Sequence, residues 1–138
     1  MSIASDIGGI INAAGVATSG TNMFVGIVPD TITGLAVLLL DVGGAPATPK
    51  WNRNWWDIEV IVRSNINDYA GGWNKSISIK NLLLSHAPTT IGTNVYAAFL
   101  QRNDVTYIGQ DENKRHKFAT YYRIIVDGPT EGNRLEIA

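Results

Sequence analysis

The chain has 138 residues, so one domain is expected, with roughly two-thirds of its unfolded surface buried. Its composition, 45% hydrophobic and 17% charged, excludes a disordered tail or a coiled coil. Eleven basic against twelve acidic residues give a net charge of −1, which lacks the basic excess of a general nucleic-acid binder.

Ile3, Ile7, Ile10, Ile11 and Ala14 recur at helical spacing and predict an N-terminal helix. Ser2 or Ser5 is the expected cap, and Asp6 falls in the favourable first turn. Gly8 and Gly9 weaken this helix, so it needs tertiary support. Residues Asn22 to Val28 read as a strand, followed by the turn signal Pro29-Asp30. Leu35 to Val42 reads as a second strand, apolar on both faces and therefore expected at the sheet centre. Residues 43–49, with two glycines and two prolines, read as a loop.

Trp55 to Arg63 alternates as a third strand. Trp56, Ile58, Val60 and Val62 share one face; Trp55, Asp57, Glu59, Ile61 and Arg63 share the other. This places Trp56 in the core and Trp55 on a polar face, as a contact residue. Asp68 is the expected cap of a second helix with a stripe of Tyr69, Trp73, Ile77 and Leu84, helped by Leu83 and Ala87, ending before Pro88. Asn94 to Arg102 is a fourth strand, apolar on both sides, with Tyr96, Ala98 and Leu100 opposed to Val95, Ala97 and Phe99. Arg115 to Asp127 contains a fifth, with Phe118, Tyr122, Ile124 and Val126 on one face. The expected class is α+β: a mostly antiparallel sheet of four to five strands, with the N-terminal and central helices on one face. Residues 1–138 read as a single domain, and 128–138, with little core signal, as a flexible or docking C-terminal arm.

Chemistry is nearly absent from this sequence. With no cysteine there are no disulfides, thiolate metal sites or cysteine nucleophiles. There is no phosphate-binding glycine loop, dinucleotide motif or nucleophile elbow. His86 and His116 stand at no recognised zinc spacing, and His86 suits a helix C-terminus. Neither a catalytic group, a metal nor a cofactor is expected. The Asn74-Lys75-Ser76 triplet carries no weight as a glycosylation signal. The first basic residue is Lys50 and the longest apolar run, Leu35 to Leu40, is too short to cross a bilayer. A soluble protein, cytosolic when made, is the expectation. Asp111 and Glu112, with Arg115, suit a polar hairpin turn better than an acid–base pair; their functional alternative is a docking loop. Trp51, Trp55 and Trp56, with Arg53 between, suit packing and subunit contact better than a platform for sugars or single-stranded bases.

Taken in order, NMFVGIVPD, VGGAPATP, a strand ending in Arg63, and IGQDENKRHKFATYYRI resemble the minor-capsid or tail-terminator family of long-tailed bacteriophages. The positions that carry the resemblance are Met23-Phe24, Pro29-Asp30, Gly43-Gly44, Arg63 and Gly109-x-Asp111-Glu112-x-x-Arg115. The tryptophan cluster is not part of that pattern. The resemblance implies a non-enzymatic virion protein of the tail and neck, assembled in the host cytoplasm. Its subunits form a ring, usually a hexamer, which caps the head-proximal end of the tail tube, stops its polymerisation and joins it to the head. The implied partners are further copies of the chain, the tail-tube protein and a neck or head-completion protein. No membrane and no specific nucleic acid are implied, although DNA passes through such a ring. Trp55, Tyr96, Leu100, Asp111, Glu112 and Arg115 are the candidate subunit and tube contacts. Another neck or tail-tube ring component is the nearest competing reading, and a tryptophan-based binding module comes next. A tube subunit would polymerise without limit, whereas a terminator stops at one ring.

Overall fold

A computed structural model describes residues 3–44, 53–91 and 94–127. The elements run α1 (Ile3–Ala13), β1 (Met23–Val25), β2 (Ala36–Gly44), β3 (Arg53–Ile66), α2 (Tyr69–Leu84), β4 (Thr89–Ile91), β5 (Asn94–Gln101), β6 (Thr106–Gln110) and β7 (Arg115–Asp127). They build a seven-stranded sheet in the order β1-β2-β3-β7-β5-β4, with β6 also paired to β7. β1 runs parallel to β2, and the other pairs are antiparallel. The α+β class and the mostly antiparallel sheet stand as expected, but the strand number is seven rather than four to five. The extra strands are β4 and β6, neither of which contains a buried residue. Without a buried face they leave no period-two apolar signature to read.

β3 and β7 form the centre of the sheet, in register from Arg53↔Asp127 to Arg63↔Lys117, with a shift before Ile66↔Arg115. β2, expected there, lies one strand further out, flanked by β3 and by only three residues of β1. One face of the central pair carries Ile58, Val60, Val62, Phe118, Tyr122, Ile124 and Val126, each 0–2% exposed. Ile7, Ile10 and Ile11 of α1 join this core, as do Ile79 and Leu83 of α2. Both helices therefore cover the same face.

The caps and stripes differ in detail from the sequence reading. Ser5 lies inside α1 and Ser2 lies outside the described residues. Instead Asp41, from β2, accepts a hydrogen bond from the Ala4 N–H at 2.9 Å. This satisfies a first-turn donor that the helix itself cannot. Asp68 does cap α2, accepting from the Gly71 N–H at 3.0 Å. The buried stripe of α2 is Gly72, Ser76, Ile79 and Leu83, whereas Tyr69, Trp73 and Leu84 are exposed. The reason is close packing. A Cβ on Gly72 would lie 2.7 Å from the Phe118 ring and 2.9 Å from Ser64 Cβ, so the helix meets the sheet through its small residues.

In β5 the expected alternation breaks at a bulge between Tyr96 and Ala98. The extra residue returns Phe99 to the face of Tyr96, where the two rings stack with centroids 6.1 Å apart. Ala98 and Leu100 turn to the opposite face. Of the expected loop at 43–49, Gly43 and Gly44 complete β2 and the remainder lies outside the described residues, as do Trp51 and the arm at 128–138.

Candidate functional site

The sheet face opposite the helices is only partly covered. Its rows follow from the register: Trp55, Ile125 and Ala98 in one, Asp57, Arg123 and Leu100 in the next, then Glu59 with Tyr121 and Leu40, then Ile61 with Ala119 and Leu38. At the Ile61 end, residues 26–28 fold near the sheet and line a hollow of about 240 Å³ with Leu38, Ile61 and Arg63. At the Trp55 end the face is open: Trp55 is 44% exposed and Leu100 47%. These two candidate contacts stand in neighbouring rows around one buried charge.

That charge is Asp57, 5% exposed. Arg123 grips it with two hydrogen bonds, Nε to Oδ1 at 2.9 Å and Nη2 to Oδ2 at 3.1 Å. Arg102 adds a third from Nη1 to Oδ2 at 2.8 Å. The Arg123 hydrogen bond is the largest influence on Asp57 and outweighs the opposing effect of burial, so its carboxyl titrates below the ordinary range. Both arginines remain partly open to solvent. Beside it, the Glu59 carboxylate accepts from Tyr121 and raises its phenol pKa. The sequence places Asp57 on the polar face of its strand, but the cross-strand partner Arg123 emerges only from the register.

A second cluster collects several of the residues that carry the family resemblance, Arg63, Asp111 and Arg115. Arg63 Nη2 donates to the Ile32 carbonyl at 2.8 Å and the Gly34 carbonyl at 3.0 Å. Arg115 Nη1 reaches the Thr33 carbonyl at 3.3 Å, while its Nε donates to Asp111 Oδ2 at 2.8 Å. Asp111 Oδ1 also accepts from the N–H groups of Asn113 and Arg115. Burial pushes the Asp111 pKa up, but these hydrogen bonds prevail and hold it below the usual carboxylate value. Gly109 sits at φ +105° beside a register shift in the β6–β7 pairing, a conformation that glycine adopts without strain. Arg63 of β3 and Arg115 of the β6–β7 hairpin thus latch the segment after Pro29 to the sheet.

The sequence-derived contacts therefore divide. Trp55 and Leu100 are exposed together. Tyr96 is not a surface contact of the protomer: it is fully buried, and its hydroxyl donates to Asp6. Asp111 and Arg115, read as a docking loop in the functional alternative, have side chains only 17% and 12% exposed and mainly hold their own turn. Glu112 at the tip is exposed. Trp56 is also corrected. It faces the core side as expected but is 40% exposed, because its partner in β2 is Gly44, which offers no side chain to cover it. Trp55 and Trp56 point to opposite faces and do not form one stacking platform. Among the described residues no cluster of three or more His, Asp or Glu could hold a metal ion, and no helix is long and apolar enough to cross a membrane.

Comparison with known proteins agrees with the fold and the motif. A chain from the virion of a native gene transfer agent particle superposes with a TM-score of 0.74, at 11% identity, over 91% of this chain and 95% of that one. At that identity the likeness shows the fold. No curated protein matches in sequence. The family model described as bacteriophage tail terminator protein matches residues 10–127, from α1 to the end of β7. The chain belongs to the bacteriophage tail terminator family, a family of structural virion proteins rather than enzymes.

Proposed function

We propose that this protein forms a closed ring, a hexamer, on the head-proximal end of a phage tail tube. There it stops tube polymerisation and presents a surface to the neck or head-completion protein, while DNA passes through the centre. The observation that carries this reading, within a family defined by tail termination, is the open sheet face. Trp55 and Leu100 stand exposed on it around the arginine-clamped Asp57. An exposed tryptophan beside apolar and charged neighbours is a typical hot-spot composition. A repeated heterologous contact through such a face closes into a ring when its rotation closes. Glu112, at the tip of the β6–β7 hairpin, is a second contact of the same assembly.

The test adds the purified protein to a polymerising tail-tube protein and follows it by electron microscopy. A terminator gives capped tubes bearing one ring at one end and no growth from that end. Open-ended polymers built of this protein alone would overturn the reading in favour of a tube subunit. Absence of the protein from tube ends would overturn it in favour of another neck component.

A further inference from the structure

We infer, given the ring proposed above, that its subunit contact is back to front: Trp55 and Leu100 of one subunit seat in the groove between α1 and the α2–β4 junction of the next copy. The groove has a volume of about 620 Å³. Pockets of that size accept drug-sized molecules, so an indole and a leucine side chain fit together within it. Its walls offer accessible apolar surface: Gly9, Ala13 and Ala14 of α1 are exposed, and Leu82 and Ile91 are half-buried. A Cβ on Gly9 would meet nothing within 4 Å. The small residues of α1 thus leave room for large side chains. Trp55 and Leu100, exposed on the open sheet face, are large side chains that this room suits.

The register puts the two surfaces back to back. Trp55 pairs with Ile125 and Ile125 with Ala98, in one row across the sheet. Val126 with Tyr96, and Tyr96 with Thr89, form the adjoining row. The rows differ by one residue along β7, about 3.4 Å. Tyr96 is buried on the helix side, and Thr89 lines the groove. Knob and groove therefore lie at one level of the strands, on opposite sides of the sheet. Charge agrees with their meeting. α1 has no basic residue in its last turn, and Lys75 from α2 serves the Val16 carbonyl beyond it. The carbonyl end of a helix favours a cation. Arg102, whose side chain is half-exposed, stands with Leu100 around Asp57 and brings a cation to that end, where Ala13 and Ala14 line the groove. The occupant is a second copy because one chain carries both surfaces: each subunit fills its neighbour's groove and has its own filled. Contact between two different surfaces is heterologous, the kind that repeats into a ring, whereas a face meeting itself would stop at a dimer.

The absence of cysteine makes disulfide trapping of the assembled full chain clean. Ala98→Cys, in the Trp55 row, combined with Ala13→Cys should link neighbouring subunits at least ten times faster than Ala98→Cys combined with the control Asn74→Cys. Asn74 is exposed on α2, about 12 Å along the helix from Leu82. A non-reducing gel should show a ladder of linked subunits. Independently, Ala13→Trp fills the groove from an exposed position. It should leave the thermal melt of the protomer near that of the wild type and lower the yield of rings, by light scattering, at least ten-fold. Rings that form with equal linking rates for the two cysteine pairs, or with full yield from Ala13→Trp, would overturn this contact and leave the ring standing. Linked pairs as the main product of Ala98→Cys alone would overturn it in favour of a face-to-face contact. A wild type that gives no closed oligomer, free or on tube ends, would overturn the ring itself and this contact with it.

Discussion

The two faces of the sheet are built from the same strands yet serve different ends. The helix-covered face of β3 and β7 is apolar and closed, from Ile58 to Val62 and from Phe118 to Val126. The opposite face of those strands interleaves Trp55, Ile61 and Ile125 with Asp57, Glu59, Tyr121 and Arg123, and remains open at the Trp55 end. Period two makes this possible: each strand holds a core with its even positions and displays a surface with its odd ones. The difference teaches that tryptophan content is a poor guide to the core here, because both Trp55 and Trp56 are substantially exposed.

The largest expected effect lies on the closed face. Ile58→Ala removes a fully buried side chain from the centre of the core. It should cost about 2–5 kcal/mol, a large part of a domain's stability. Chemical denaturation of the wild type and the variant measures this directly. A loss as small as that of a surface substitution would mean that the helices do not cover this face.

Next comes Asp57, the buried charge on the open face. Asp57→Ala leaves Arg102 and Arg123 facing each other without their shared carboxylate. Breaking a fully buried pair costs about 3–5 kcal/mol, but the arginines' partial exposure lowers the expectation to about 1–3 kcal/mol. The pH dependence has a definite sign. The folded pKa of Asp57 lies below its unfolded value, so the unfolded chain binds more protons between the two. The Asp57 contribution is fully present above about pH 4, the ordinary carboxylate range, and is lost as pH falls through the lower folded value. The wild type should therefore lose stability on acidification below that range more steeply than Asp57→Ala. Equal acid sensitivity would place the important carboxylates elsewhere.

A third substitution probes why α2 sits so close to the sheet. The Cβ of Gly72→Ala would meet the Phe118 ring and Ser64 Cβ well inside normal contact distance. Overpacking of this kind costs about 1–3 kcal/mol, offset in part by alanine's better helix propensity. Thermal melts should show a clear drop, whereas Gly9→Ala, with open space around it, should be neutral or stabilising. Similar melts for the two would mean that the helix can move away from β7 freely.

These positions also mark how far sequence carries. The core of β3 and β7 was legible because strict alternation survives through Ile58, Val60 and Val62 and through Tyr122, Ile124 and Val126. The Asp68 cap was legible because a local side chain serves it. The α1 cap was not, because Asp41 reaches it from another strand. The buried stripe of α2 is legible only at Leu83, because Gly72 and Ser76 carry no hydrophobic signal. Tyr96 and Leu100 read as one face in β5, but the bulge after Tyr96 turns Leu100 to the opposite face and leaves Tyr96 in the core. For the candidate site, Trp55 and Leu100 could be named singly from their strands. Their convergence on Asp57 depends on cross-strand register, which no local pattern encodes.

The smallest effect on stability is expected where the effect on assembly is greatest. Trp55 and Leu100 are among the most open large apolar residues on the helix-free face, at 44% and 47% exposure. Roughly half of each side chain's area is already in water, so truncation forfeits little of the burial that stabilises the protomer. Trp55→Ala and Leu100→Ala should each shift the unfolding free energy by about 1 kcal/mol or less, within reach of ordinary surface substitutions. If the face is covered by a neighbouring subunit, the same truncations remove contact area that only assembly buries. Hot-spot tryptophans cost 2 kcal/mol or more on removal, or roughly thirty-fold in affinity, so Trp55→Ala should abolish ring formation at concentrations where the wild type assembles. Oligomer mass by light scattering, set beside thermal melts of the same samples, separates the two effects. Intact rings from a variant carrying both Trp55→Ala and Leu100→Ala would show that this face is turned to solvent in the assembly. The subunit contact would then pass to the β6–β7 hairpin, where Glu112→Lys is the corresponding test.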